Sequence, residues 1–314
     1  MQIVVTDGYT LNPGDLSWDA FKEFGELVYY DRTPPDLVAE RCNNAEIIIT
    51  NKTPVNAVTL QSCQKVKLIA VTATGYNNVD IKAAKEKNIP VCNVPVYGTD
   101  SVAQHTIALL LELTNHVGRH AQSVADGEWS HNADWCYSKA PLIELSGKKL
   151  GIVGYGRIGK RVAAIAKALG MKIIFNNKGK TSLPEEADLD ELFKQSDFIS
   201  LHCQLTEENK GFIIKKLLML MKPTAFLINT SRGQLINEKD LAESLQQNII
   251  AGAALDVLSI EPPPADHPLI GLKNCLITPH NAWISFEARK RLMDTTLENV
   301  KAFLAGKLQN VVNF

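Results

Sequence analysis

The 314-residue chain is poor in several things, and each shortage closes off a class of function. Its six cysteines, Cys42, Cys63, Cys92, Cys136, Cys203 and Cys275, include no CxxC pair. Neither a zinc site nor a disulfide framework is indicated, so no metal is expected, and scattered thiols suit a reducing, cytoplasmic setting. No sign of charge dominates: 33 lysines and arginines stand against 34 aspartates and glutamates. That balance argues against a nucleic-acid partner and against a membrane-binding surface. No apolar run approaches the length of a membrane span. The opening MQIVVTDGYT lacks a basic region followed by a long apolar stretch, and it reads as a first strand rather than a signal peptide. Repeats and low-complexity tracts are missing, and the one proline-rich stretch, 261–268, reads as a stiffened loop.

The length predicts about two domains, and 45% apolar residues support sizeable cores. Strand-like runs at 2–6, 46–50, 67–71 and 90–94 alternate with helical segments at 36–43, 56–63 and 80–88, each opened by a capping residue. Such alternation implies a parallel sheet. Ser101-x-x-Gln104 is a capping-box signature for a helix running to about His116. Residues 118–147 read as irregular, yet they carry Trp129, Trp135 and Tyr137. Aromatic surface without periodicity needs cover, from the same domain or from a second subunit, and the second is favoured.

The stretch Gly151-Ile-Val-Gly-Tyr-Gly-Arg-Ile-Gly159 organises the rest. A short apolar strand precedes Gly154-x-Gly156-x-x-Gly159, and a helix over 158–169 follows, with Ile158, Val162, Ile165 and Leu169 at helical spacing. Gly154 makes the tight turn, Gly156 lets backbone approach a pyrophosphate, and Gly159 lets helix pack on strand. The helix N-terminus then faces the anion. Strand, glycines and helix in this order point to a dinucleotide; the alternative is a glycine-rich turn that binds nothing. Further strands are expected at 172–175, 197–202, 225–229, 251–257 and 275–278. Helices are expected at 185–195, 215–221 and 237–247, with a last one from Ser285 to Gly306.

In an open parallel sheet, ligands bind beyond the carboxyl ends of the strands. Three predicted strands end in reactive side chains: Arg232, Asp256 with Glu261, and His280. A histidine can donate a proton to a carbonyl oxygen as hydride reaches its carbon. A carboxylate can orient the ring and favour its protonated form. A guanidinium can hold a substrate carboxylate in two hydrogen bonds. Each also has a plainer reading: a backbone-satisfied histidine, a solvated loop acid, an arginine capping a carbonyl. Their joint placement after a dinucleotide fingerprint favours chemistry.

Over essentially its full length the chain resembles the D-isomer-specific 2-hydroxyacid dehydrogenases. The match is carried by Thr72-Ala-Thr-Gly-Tyr-Asn-Asn-Val-Asp80, Gly151–Gly159, Asn229-Thr-Ser-Arg-Gly233, Leu255-Asp-Val-Leu with Glu261-Pro262, and Pro279-His280. Asn93–Thr99 and Trp135-Cys-Tyr137 make it most similar to the glycerate dehydrogenase (hydroxypyruvate reductase) branch. The end at Phe314 is read as speaking against the longer phosphoglycerate dehydrogenases. The resemblance implies two doubly wound α/β domains: a flavodoxin-like substrate domain, 1–98 with 285–314, and a Rossmann cofactor domain, 99–284. It implies His280 as acid/base, Glu261 as its partner and Arg232 as substrate clamp, with backbone at Thr74 and Gly75 holding the substrate carboxylate. Cofactor contacts carried over are Gly154, Gly156, Arg157, Ile158 and Gly159 in the fingerprint, then Asn177, Lys178, Cys203, Asn209, Thr230 and Asp256. It also implies a homodimer through the segment after Ser101, and domain closure over substrate.

One departure bears on the cofactor. The family's cofactor strand usually ends in an aspartate that bonds the adenosine ribose; here Asn177 stands there, followed by Lys178 and Lys180. A neutral asparagine does not repel a 2′-phosphate, so NADP is expected to serve at least as well as NAD. The expected reaction is reduction of hydroxypyruvate or glyoxylate to D-glycerate or glycolate. Pyruvate or another 2-keto acid is the alternative substrate, and a nicotinamide-sensing interaction protein the alternative class. Formate is disfavoured, because formate dehydrogenases of this fold place a glutamine where Glu261 stands.

Overall fold

Runs that read as uninterrupted apolar residues become strands buried on both faces. In the computed structural model, which describes residues 1–179 and 181–314, β1 (Gln2–Val5), β2 (Glu26–Tyr29), β3 (Ile47–Thr50), β4 (Leu68–Val71) and β5 (Val91–Cys92) form one parallel sheet. Its order is β2-β1-β3-β4-β5. Every residue of β3 and β4 is buried, as helices on both faces of a parallel sheet require. Fully buried Ile48 and Ile69 each contribute about 1.5–3 kcal/mol relative to exposure. β2 has no counterpart among the expected strands: it is a four-residue edge strand with both ends exposed, so its apolar signal is weak.

A second parallel sheet contains β6 (Lys149–Val153), β7 (Lys172–Asn176), β8 (Phe198–Leu201), β9 (Phe226–Asn229), β10 (Gly252–Leu255) and β11 (Cys275–Ile277). Its order is β11-β10-β9-β8-β6-β7. The chain therefore forms two doubly wound α/β units, Met1–Gly98 with Ile284–Phe314, and Thr99–Trp283.

In the first unit the Phe286–Leu304 helix is capped by Ser285, whose Oγ accepts the Ala288 N–H at 3.3 Å. Leu292, Thr296 and Val300 are buried, while Leu304, expected on the same face, is exposed. Beyond it the chain covers the free edge of β5. Val311 bridges Cys92 antiparallel, the Val312 N–H donates to the Val91 carbonyl, and Asn313 Oδ1 accepts the Val91 N–H.

In the second unit the Thr99–Asn115 helix packs on the Arg157–Ala168 helix over Leu110, Ile152, Val162 and Phe198. The expected capping box is not used: Ser101 lies inside the helix and its Oγ donates to the Ala282 carbonyl at 2.7 Å. Residues 118–147 are less irregular than expected, because Val117–Ala125 is a helix set off by His116 in a left-handed conformation. Val117, Ala121 and Val124 hold helical spacing, but two valines are too thin an apolar stripe to announce it. Val117, Val124, Trp129 and Trp135 are all exposed, Trp135 at 86%. No helix among the described residues is long and apolar enough to cross a membrane.

Candidate active site

The fingerprint glycines meet three different local demands. Gly154 has φ +98°, and a Cβ there would lie 2.5 Å from the Cys203 nitrogen, so the turn after β6 tolerates no side chain. A Cβ on Gly159 would lie 2.3 Å from the Gly154 carbonyl oxygen, which is the close approach of helix to turn. A Cβ on Gly156 would meet nothing within 4 Å beyond its own chain neighbours and helix. Gly156 caps the Arg157–Ala168 helix without a side-chain hydrogen bond, so the helix N-terminus is not closed by its own cap residue. This opening sits between β6 and β8, where the strand order reverses. The residues therefore suit a pyrophosphate.

The reactive side chains stand beyond three adjacent strands in step. Asn229, Leu255 and Ile277 are register partners at the ends of β9, β10 and β11. Arg232 and His280 each lie three residues beyond, on strands flanking β10 and so about 10 Å apart at their ends. Gly233 brings the first two loops together: a Cβ there would meet the Leu258 carbonyl carbon at 1.9 Å. Gln234 Nε2 also donates to the Ser259 carbonyl. The Leu258 N–H donates to Glu261 Oε1 at 2.9 Å, and Glu261 Oε2 lies 2.5 Å from His280 Nδ1. Nδ1 is thus engaged by the carboxylate, and Nε2 is the ring nitrogen left for a substrate oxygen. Arg232 is exposed, with Nη1 donating to the Ser231 carbonyl at 2.7 Å.

His280 holds a left-handed backbone, φ +53°, a conformation costing on the order of 1–3 kcal/mol that its surroundings must impose. Asp256 imposes it. Its 1%-exposed carboxylate accepts the N–H groups of Asn281 (2.9 Å) and Ala282 (3.0 Å) and the hydroxyl of Thr278 (2.6 Å). His105 Nε2 lies 3.4 Å from the same carboxylate and 3.1 Å from Thr278 Oγ1. Burial alone would raise the Asp256 pKa, but these bonds outweigh it and hold it below the ordinary range. No local sequence signal marks His105, because its partner Thr278 lies 173 residues away.

The other expected cofactor residues are spread along the same rim. Arg157 and Ile158 open the fingerprint helix. Asn177 follows β7, with Nδ2 3.5 Å from the Gly179 carbonyl. Lys178 pairs with Glu208 at 2.8 Å, both exposed. Lys180 lies outside the described residues. Burial pushes the Cys203 thiol up to about 11, so it is neutral at physiological pH, and its carbonyl accepts the Ser231 hydroxyl. The Asn209 side chain closes a capping box, accepting from Thr206 N–H and donating to the Gln204 carbonyl. Thr230 Oγ1 meets Thr106 Oγ1 at 2.9 Å. Behind the Gly154 turn, burial pushes His202 down to about 4, which keeps it uncharged.

In the first unit, Thr74 Oγ1 donates to the Val94 carbonyl and the Thr74 carbonyl accepts from Asn93 Nδ2. The side chain and carbonyl of Thr74 are thus occupied, which leaves backbone N–H groups as what this loop offers. A cavity of about 490 Å³ in this unit, lined by Tyr9, Trp18, Tyr29 and Asp31 among others, contains none of the expected site residues.

Residues 107–282 match the model of the D-isomer specific 2-hydroxyacid dehydrogenase NAD-binding domain. The chain belongs to the D-isomer-specific 2-hydroxyacid dehydrogenase family. It is 49% identical to a hydroxypyruvate reductase of Blautia hydrogenotrophica, with all of both chains covered. It is 41% identical to a glycerate dehydrogenase of Methylorubrum extorquens, over 91% of this chain and 92% of that one. Among solved structures, an acyclic imino acid reductase in complex with NADPH and D-Arg superposes with a TM-score of 0.85 at 34% identity, covering 99% of this chain and 100% of that one. The dehydrogenase accordingly takes NAD or NADP and acts on a small hydroxyacid or its keto form. An interaction protein of the same fold is not favoured by these relatives.

Proposed function

We propose that the enzyme reduces hydroxypyruvate to D-glycerate, and glyoxylate to glycolate, with Thr99–Trp283 as the cofactor domain and the other unit as the substrate domain. The observation that carries this reading is the 2.5 Å contact between His280 Nδ1 and Glu261 Oε2, three residues beyond β11 and two strand spacings from Arg232. The near-half identity with a hydroxypyruvate reductase supports the choice of substrate.

Bound NAD(P)H supplies the hydride. His280 delivers a proton from Nε2 to the carbonyl oxygen while Glu261 stabilises the imidazolium through Nδ1 and fixes its orientation. Arg232 swings from the Ser231 carbonyl to hold the substrate carboxylate and polarise the adjacent carbonyl. The Thr74–Gly75 backbone donates to that carboxylate. The fingerprint loop would hold the pyrophosphate, Cys203, Asn209, Thr230 and Asp256 would hold other parts of the cofactor, and Asn177 and Lys178 would meet the adenosine ribose. The exposed Val117, Val124, Trp129 and Trp135 support a homodimer through the segment after Ser101, since an apolar patch of this kind marks an interface. The scattered free thiols support a cytoplasmic setting.

Steady-state rates on hydroxypyruvate, glyoxylate, pyruvate and phenylpyruvate, each with NADH and NADPH, test the proposal. Hydroxypyruvate should give the highest kcat/KM; a preference for pyruvate of about tenfold or more would reassign the substrate.

A further inference from the structure

β1 and β3 are the neighbours between which the order of the first sheet reverses. Doubly wound sheets bind ligands at such points. Here the point is filled by the chain itself. Asp7, two residues beyond β1, accepts three consecutive backbone N–H groups from the turn after β3. Asn51 donates at 2.8 Å to Oδ1, and Lys52 and Thr53 donate at 2.6 and 2.7 Å to Oδ2. The Thr6 hydroxyl donates to Oδ1 at 3.0 Å. Converging N–H groups of this kind make an anion-binding concavity, and the Asp7 carboxylate is the anion.

The buried Asn51 side chain carries the connection onward. Nδ2 donates to the Thr72 carbonyl at 2.6 Å and lies 3.1 Å from its hydroxyl. Those acceptors fix the amide, and its Oδ1 is buried without a donor among the described residues. An unmatched buried acceptor is unfavourable, so the residue is explained by its donor half. Asn78 Nδ2 adds a bond to the Thr53 carbonyl at 3.0 Å. Thr72 stands two residues before Thr74 and three before Gly75.

We propose that Asp7 and Asn51 are positioning residues that set the backbone of the 72–75 loop for the carboxylate of the 2-keto acid. This rests on the substrate role proposed above for Thr74 and Gly75. Asp7 fixes the 51–53 turn, and Asn51 passes that placement to Thr72. Because the concavity is already occupied, it takes no phosphate.

The test combines amide hydrogen exchange with kinetics on the full-length Asp7→Ala, Asp7→Asn and Asn51→Leu variants. Exchange at 72–76 should quicken, and KM for hydroxypyruvate should rise by about tenfold or more, while kcat and the NADPH Kd stay within about twofold. Asp7→Asn should fall between wild type and Asp7→Ala. In the double variant the two losses should not add, because they act through one chain of bonds. Unchanged exchange at 72–76 overturns the brace, and faster exchange with unchanged KM overturns its service to substrate. If Asp7→Ala does not fold, Asn51→Leu carries the test without a change of charge. A wild type that binds cofactor yet turns over no 2-keto acid refutes the substrate reading, and the exchange data then decide the brace alone.

Discussion

Asp256 holds His280 in its left-handed conformation without touching its ring, by accepting the N–H groups of the two residues that follow it. Asp256→Asn keeps the shape but turns a donor toward one of those N–H groups. The variant should lose about 1–3 kcal/mol of stability and more than half its kcat. A thermal melt and a rate at saturating substrate check both. An unchanged melt would show that the carboxylate is not what holds the segment.

The same residue predicts a pH response. Its folded-state pKa lies below the ordinary carboxylate value of about 3.9. Its stabilisation is therefore present above that value and is lost as pH falls through the lowered folded pKa. Denaturant midpoints between pH 7 and pH 3 should drop less steeply in Asp256→Asn than in wild type. Equal slopes would mean that other carboxylates set the acid limit.

His280→Ala should lower kcat by about 10²–10⁴-fold, and Glu261→Gln by less, since the amide still orients the ring but does not stabilise its cation. Cofactor affinity, read by NADPH fluorescence, should be unaffected in both. Near-normal turnover in His280→Ala would end the acid/base assignment.

Arg232→Lys is not conservative, because a point charge replaces a planar fork. KM for hydroxypyruvate and kcat should both suffer, with kcat/KM down by about 10²-fold or more. A lysine enzyme within a few-fold of wild type would show that the clamp lies elsewhere.

Cofactor choice should turn on two surface positions. Asn177→Asp restores an acid beside the ribose and should shift the ratio of kcat/KM toward NADH by about tenfold or more. Glu208→Gln releases Lys178 from its exposed pair, so NADPH should gain less than about fivefold. A wild-type preference for NADH of about a hundredfold would remove the argument for both.

How much could be read in advance depended on distance along the chain. The fingerprint and the strand-end positions of Arg232, Glu261 and His280 are local patterns, an apolar run followed within a few residues by a distinctive side chain. Their chemical roles follow from residue type and placement, and the resemblance adds the substrate class. What escaped is long-range or weakly patterned. Asp7 meets its partners 44–46 residues away, and His105 meets Thr278 after 173. β2 is too short and too exposed to announce itself, and the Val117–Ala125 helix turns its valines outward. Ser101 shows the opposite error: the capping motif is present, but the helix starts two residues earlier and the hydroxyl serves the Ala282 carbonyl.

The seam between β5 and the chain's last residues has a consequence for biosynthesis. Val91 and the Asn313 side chain that receives its N–H are 222 residues apart. At about 5–20 residues per second, a ribosome takes on the order of 10–40 s to travel between them. For that interval β5 is a bare edge strand beside a nascent sheet whose final helix does not yet exist, and bare edges recruit other chains. The whole of Thr99–Trp283 is made within the same interval. The inserted unit can thus fold first, while the interrupted one waits for its closing segment and depends on being shielded until it comes.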